Sequence, residues 1–335
     1  MVAGGAGPMV AGGGAGARPT ECEPGAVRCN SDFVREACGD DGTWASTDFV
    51  CARSVAVDDE TGGYCVTKGD GAYLCRGGNV NAELSPARYV RVQTSAKGLI
   101  GLTETGELVS AETLIAPDLG EVATFRATNM WGYPSACPLF RDGSFGISRD
   151  RTGSVEGDVA ELLPVEGSFS RAFCVYEGLM VGVRTDGTLW NERLEVAAGN
   201  DFVDVAFSLT IFCGLRTSGA ITRMPPEWSC DRSTISPCVD DLPEFPGDGY
   251  RAVTATASAV CAITAQGALT CQRYNGVPML DDPGPFTFAE GGHTVLCAIR
   301  ADGSTACFRH EGDSPIVAAE VGTFTPVDPP LGPDW

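Results

Sequence analysis

One pattern recurs seven times along this chain: an apolar residue or cysteine, five residues, a glycine, then an alternating run. The segments are YCVTKGDGAYLC, LIGLTETGELVS, ACPLFRDGSFGI, MVGVRTDGTLWN, IFCGLRTSGAIT, VCAITAQGALTC and LCAIRADGSTAC. Their glycines are Gly71, Gly106, Gly143, Gly187, Gly219, Gly267 and Gly303, spaced on average by about 39 residues. Apolar positions alternate on each side of the glycine, and a period of two marks a half-buried strand. Before the glycines stand Asp70, Thr105, Asp142, Asp186, Ser218, Gln266 and Asp302, mostly polar turn formers. Each segment therefore reads as a β-hairpin. Its expected three-residue loop puts a type I turn before a glycine in the left-handed region, where a Cβ would clash.

The cysteines test that register. Cys65 and Cys75, Cys261 and Cys271, and Cys297 and Cys307 each lie ten residues apart. A loop of Ala265, Gln266 and Gly267 sets Cys261 opposite Cys271 in a pair without backbone hydrogen bonds, with Cα atoms about 4.5 Å apart. That separation is compatible with a disulfide. The competing expectation is separate buried thiols, because Cys137 and Cys213 fill the first position without a cysteine on the second strand.

Seven hairpins cannot each bury an apolar face alone, and a period near 40 residues fits propeller blades. The expected fold is all-β: a seven-bladed β-propeller over residues 52–335, preceded by a Gly/Ala-rich tether at 1–20 and a cysteine-rich module at 21–51. A linear solenoid is disfavoured by the length of the repeat. An aromatic residue stands 11 or 12 positions ahead of the apolar-or-Cys site in six repeats, as Tyr89, Phe125, Phe169, Phe202, Tyr250 and Phe286. Phe324 lies in a leftover strand-like stretch, so residues 318–328 are expected to pair into the first blade and close the ring. The module holds Cys22, Cys29, Cys38 and Cys51, for which three connectivities are open.

Charge and cysteine content narrow the function. The chain has 44 Asp and Glu against 23 Lys and Arg, a net charge of −21. Such a surface repels phosphate backbones and anionic lipid heads, so nucleic acid is not an expected partner. No stretch approaches the roughly 20 apolar residues of a membrane-spanning helix, so direct membrane insertion is not expected. Fifteen cysteines without one C-x-x-C, and only His293 and His310, favour disulfides over metal. An oxidising, extracellular or cell-envelope location follows, although the first residues show neither a basic n-region nor an apolar h-region. Cys230 and Cys238 bracket an insertion and are candidates to close a surface loop.

The segment GGHTVLCAIRADGSTACFRHEG resembles the repeat of the regulator of chromosome condensation family. Gly292, His293, Thr294, Cys297, Ala298, Ile299, Asp302 and Gly303 carry the match. The repeat's usual Trp is missing: Arg76, Gln272 and Phe308 follow the second cysteines. The resemblance implies a seven-bladed propeller; the charge and the disulfides argue against the nuclear role of the family's founding members. Secreted bacterial relatives include a propeller-type inhibitor of β-lactamases, and the cysteine-rich segment looks like modules in surface proteins of predatory soil bacteria. Together these imply a secreted, lipoprotein-like bacterial protein.

No catalytic constellation stands out. His293 reads as structural and His310 as solvated; neither has the oriented partner of a catalytic triad. Spaced calcium-loop acids are missing, and no cofactor or metal is expected. The leading expectation is a non-enzymatic, monomeric binding protein whose loops recognise protein or glycan. Trp131 and Tyr133 in MWGY and Trp228 in PPEW are candidate contact residues, with core packing as the alternative. The second expectation is a carbohydrate-active enzyme, a glycosidase or lyase with carboxylates at the propeller mouth.

Overall fold

The computed structural model describes residues 21–57, 63–76, 84, 86–95, 98–110, 121–130, 133–149, 161–165, 167–174, 180–191, 199–207, 212–223, 245–256, 258–273, 276–292, 294–309 and 317–318. Every regular element among them is a strand, and all strand pairs are antiparallel. The first sheet holds β1 (Val27–Cys29), β2 (Val34–Cys38) and β3 (Trp44–Val50). Seven further sheets follow in chain order. They are β4 (Ala52–Val57), β5 (Tyr64–Lys68) and β6 (Tyr73–Arg76); then β7 (Tyr89–Ser95), β8 (Gly98–Thr103) and β9 (Leu108–Ser110). Next come β10 (Val122–Met130), β11 (Tyr133–Phe140), β12 (Phe145–Arg149) and β13 (Glu161–Val165); then β14 (Phe169–Cys174), β15 (Met180–Arg184) and β16 (Leu189–Asn191). The series ends with β17 (Phe202–Phe207), β18 (Phe212–Arg216) and β19 (Ile221–Arg223), then β20 (Tyr250–Ala255), β21 (Ala259–Thr264), β22 (Leu269–Arg273) and β23 (Pro278–Asp282), then β24 (Phe286–Gly291), β25 (Val295–Arg300), β26 (Thr305–Arg309) and β27 (Val317–Ala318).

The first strands of successive sheets pack on one another in order: β4 on β7, then β10, β14, β17, β20 and β24. Strands β24 and β25 return to β4, so the sheets form a closed ring around these inner strands. Apolar faces are buried between neighbours, as a single hairpin sheet cannot manage alone. Ile263, Leu269 and Phe286 share one core between two sheets. Val55, Val57 and Val66 of the first ring sheet share another with Val295 and Ile299 of the last.

One loop geometry builds the hairpins. In β21–β22 the N–H of Thr264 donates to the carbonyl of Ala268, and the N–H of Gly267 donates to that of Thr264, each at 2.9 Å. The same two bonds occur at all seven repeat glycines, whose φ values lie between +81° and +94°. Asp70, Asp142, Asp186 and Asp302 each accept the N–H two residues on, which fixes the turn. Hydroxyl and backbone donation from Ser144 and from Thr188 holds the Asp142 and Asp186 carboxyls below their ordinary range.

These loops also couple the sheets. The glycine carbonyl accepts the N–H that opens the next inner strand: Gly71 from Tyr89, Gly106 from Val122, Gly143 from Phe169, Gly187 from Phe202, Gly219 from Tyr250 and Gly267 from Phe286. Five of the six aromatic markers thus begin inner strands. Phe125 does not; Val122 takes that place and Phe125 lies three residues further along β10. At the seam, Gly303 accepts from Ala52 at 3.2 Å. There the first sheet is attached: the Cys29 N–H donates to Ala301, and a Cβ on Gly303 would collide with Cys29 and Cys51.

The expected pairing of 318–328 into the first blade falls on residues 319–328, which lie outside the described ones. Ala318 pairs with Phe308, in the last sheet rather than the first. Residues 1–20 also lie outside the described residues.

Candidate functional site

Every inner strand of the ring carries a bulge just after its first residue, with register shifts at Ala52/Ser54, Tyr89/Arg91, Val122/Thr124, Phe169/Arg171, Phe202/Asp204, Tyr250/Ala252 and Phe286/Phe288. A bulge adds one unpaired residue and re-aims the side chains that follow it. The residues after it here include Arg91, Arg171, Asp204 and Phe288, and all four line one central cavity of about 140 Å³.

The cavity is crossed by ion pairs between distant parts of the chain. Arg91 Nη2 donates to both carboxylate oxygens of Glu290 at 2.6 Å, and its Nη1 donates to the Val55 carbonyl at 3.3 Å. Both side chains of that pair are nearly out of solvent, at 12% and 10% exposure. Arg126 reaches across to the Gly291 carbonyl at 3.1 Å. Arg171 lies 3.6 Å from Asp204. Burial pushes the Asp204 carboxyl up to about 6, against the opposing pull of Arg171 and of the N–H groups of Val205 and Val253.

Arg91, Thr124 and Phe288 also line a wider depression of about 400 Å³ at the mouth, on the face that carries the hairpin loops. Its wall adds Arg53, Arg141, Glu104 and Phe33. Arg53 pairs with Glu104 at 3.0 Å and Arg141 with Glu121 at 3.2 Å, both at the solvent edge. Across cavity and mouth, and counting the Glu121 that pairs with Arg141, five arginines face four carboxylates. In a chain of net charge −21 this is a local reversal of sign. Phe288 remains 39% exposed there.

Phe33 has an unusual backbone. The β1–β2 loop repeats the hairpin geometry: Asn30 N–H donates to Val34 at 3.0 Å and Phe33 N–H donates to Asn30 at 3.1 Å. Phe33 therefore sits where the repeats have glycine, with φ at 58°. Its carbonyl accepts the Cys51 N–H, as the repeat glycines do toward their neighbours. The side chain fills space above Gly69, where a Cβ would strike it, and Arg53 lies over the ring at 5.4 Å.

The sequence-derived candidates fall elsewhere. Disulfides join Cys65 to Cys75, Cys261 to Cys271 and Cys297 to Cys307, each with Cα atoms 4.0 Å apart, closer than the 4.5 Å of an ordinary facing pair. Cys22 pairs with Cys38 and Cys29 with Cys51. Cys137 is disulfide-bonded too, whereas the buried Cys213 keeps its thiol and donates to the Ala206 carbonyl at 3.9 Å. Tyr133 opens β11 opposite Met130. Trp131, Trp228, Cys230, Cys238, His293 and His310 lie outside the described residues. The mouth residues went unnoticed in the sequence, yet a signal existed: Arg91, Arg171, Asp204 and Phe288 each stand two positions after an aromatic marker. Among the described residues no group of three or more His, Cys, Asp or Glu is placed to hold a metal ion.

Known structures share this fold. The CRINKLY WD40 ectodomain of the Arabidopsis thaliana receptor kinase ACR4 matches with a TM-score of 0.56 and 12% identity, over 81% of this chain and 100% of that one. The entire ectodomain of the Physcomitrella patens receptor kinase CR4 matches at 0.52 and 13%, over 78% and 74%. Prp20p of Saccharomyces cerevisiae, also described as yeast RCC1, matches at 0.44 and 10%, over 76% and 71%. No protein-family model matches the sequence, and no curated protein is similar to it. The chain is a β-propeller, with RCC1-like and WD40 propellers as structural neighbours. Its disulfides fit an oxidising environment.

Proposed function

We propose that this chain is an extracellular binding protein that receives a protein partner at the mouth of the propeller. The observation that carries the reading is the mouth itself: arginines and exposed Phe288 around a depression of about 400 Å³ in a strongly acidic chain. That volume lies within the range of ligand sites, and aromatic and arginine side chains are the residues that dominate binding energy. The ion pairs below the mouth hold its floor in one arrangement, so a partner meets a preformed surface.

Site-specific cross-linking tests this. A photoreactive phenylalanine analogue replaces Phe288 in one protein and Val277 in another. Val277 is 49% exposed, and it lies between β22 and β23, past the end of β22 that is remote from the hairpin loop. In the extracellular fraction of the source organism, position 288 is expected to yield a discrete adduct and position 277 none. Equal labelling at both positions, or none at 288, refutes the mouth as the interface.

One observation favours a second reading, a carboxylate enzyme in the same cavity. Asp204 titrates at about 6 and shares the cavity with Glu290. It ranks second because Glu290 commits both oxygens to Arg91, which leaves Asp204 as the one uncommitted carboxylate among the described residues of the cavity wall. Hydrolysis of any glycan by the intact chain that disappears in Asp204→Asn would reverse the ranking.

A further inference from the structure

Resting on the mouth as the interface, we infer that its occupant is an acidic peptide segment bearing an apolar side chain. The carboxylates meet Arg53, Arg91 and Arg141, and the apolar group lies against Phe33 and Phe288.

Three observations lead there. The arginines divide into two kinds. Arg91 is fixed from below by Glu290 and Val55, while its Nε is buried without an acceptor. Arg53 and Arg141 form their ion pairs at the rim, with Glu104 and Glu121, and Arg53 also lies over the Phe33 ring. Solvent-edge pairs of that kind are worth little, so an incoming carboxylate can displace the rim glutamates at small cost. The floor pair is desolvated and stays.

The second observation is Phe33. A non-glycine, bulky residue at positive φ is costly and persists where its surroundings demand it; such outliers gather at ligand sites. Every repeat hairpin uses glycine at this place. Phe33 accepts the backbone cost and thereby sets an aromatic ring on the wall of the depression. Gly69 leaves room for it.

The third is the sign of charge. A long polyanion meets the field of the whole chain, at −21, and is repelled. A short carboxylate segment inserted into the mouth meets the local arginine excess within roughly 8–10 Å, inside the screening length of physiological salt. Two aromatic walls favour a peptide with an apolar side chain over a small inorganic anion.

The test uses the intact chain and a fluorescein-labelled hexapeptide of alternating Glu and Phe, with a Lys and Phe hexapeptide as control. Anisotropy is expected to saturate with the first and not the second. The double variant Arg53→Gln, Arg141→Gln should weaken binding by about tenfold or more. Phe33→Gly should weaken it by about fivefold while leaving the melting temperature unchanged or raised, because glycine suits the left-handed backbone. Phe33→Asn, which tolerates the same φ, guards against a folding defect. Tighter binding of the Lys peptide, an unchanged affinity in the arginine double variant, or an unchanged affinity in both Phe33 variants overturns the inference. The two levels separate cleanly. A partner adduct at position 288 that survives the arginine double variant leaves the mouth as interface and removes its acidic specificity. No adduct at 288 in the otherwise native chain removes the interface itself.

Discussion

The junction between the β17–β19 and β20–β23 sheets and the seam between the last ring sheet and the first use one hydrogen bond in two settings. At the ordinary junction, the Gly219 carbonyl accepts the N–H of Tyr250 at 3.1 Å, and the Tyr250 ring packs edge-on against Phe245 at 5.2 Å. At the seam, Gly303 accepts from Ala52, which has no ring to contribute. The Cys29–Cys51 disulfide lies against Gly303 instead, and Cys29 adds a backbone bond to Ala301. A ring of sheets must join its two ends, and here a disulfide packed against the last sheet takes the place that an aromatic ring fills at the neighbouring junctions. The first sheet thus acts as a clamp as well as supplying Phe33 to the mouth.

Removing the clamp should give the largest effect. By the chain-entropy account, releasing a cross-link between residues 22 apart costs about 3.4 kcal/mol, against about 2.7 kcal/mol for a span of 10 such as Cys65–Cys75. The double variant Cys29→Ser, Cys51→Ser is therefore expected to melt lower than Cys65→Ser, Cys75→Ser. The sharper reading comes from native-state hydrogen exchange. The amide of Ala52 should exchange faster in the first variant and keep its protection in the second. Equal protection of Ala52 in both would mean that the seam is held by something other than the disulfide.

Next in size is a change at the glycines. Gly219→Ala puts a Cβ 2.6 Å from the Gly249 nitrogen, and its φ is +82°. Left-handed strain of roughly 1–2 kcal/mol and a backbone shift together predict about 2–3 kcal/mol of destabilisation in urea melts. Gly303→Ala should cost a similar amount, but its collision is with cysteine side chains rather than backbone. In a Cys29→Ala, Cys51→Ala background the Gly303→Ala penalty should shrink by about 1 kcal/mol, while that of Gly219→Ala stays the same. Equal penalties in the two backgrounds would break the distinction between seam and junction.

Much of this frame was legible before any coordinates. The glycine period was readable because only glycine sits easily at φ near +85°, and the loop demands that φ seven times. Cysteines ten apart gave the hairpin register because facing positions on a ribbon are fixed by loop length. The clamp was harder: Cys29 and Gly303 meet only through ring closure, and four cysteines allow three pairings. Phe33 escaped because its loop has no glycine to betray it. The Arg91–Glu290 pair joins positions 199 residues apart, and no local pattern reports a contact made across a ring. The two-residue offset of Arg91, Arg171, Asp204 and Phe288 from the aromatic markers was present, but it gains meaning only when those markers are known to open the inner strands.

The last contrast concerns pH, to which a disulfide clamp is indifferent and the polar junctions are not. Asp204 sits on β17, with Arg171 of β14 on one side and the Val253 N–H of β20 on the other, so it links three successive sheets. Its carboxyl titrates at about 6 in the fold, above the ordinary value of about 3.9. The folded chain thus holds this proton more tightly than the unfolded chain between those limits. By linkage, the Asp204 contribution to stability is full below about pH 4 and declines as pH rises through about 6. The decline is on the order of 2 kcal/mol once the partial exposure of the side chain is allowed for. Asp204→Asn should remove that slope, leaving the variant at least as stable as the native chain at pH 7 and relatively less favoured at pH 4.5. Chemical melts at the two pH values read the difference directly. If the variant shows the native slope, burial does not govern Asp204, and the ordinary junctions are as blind to protons as the seam.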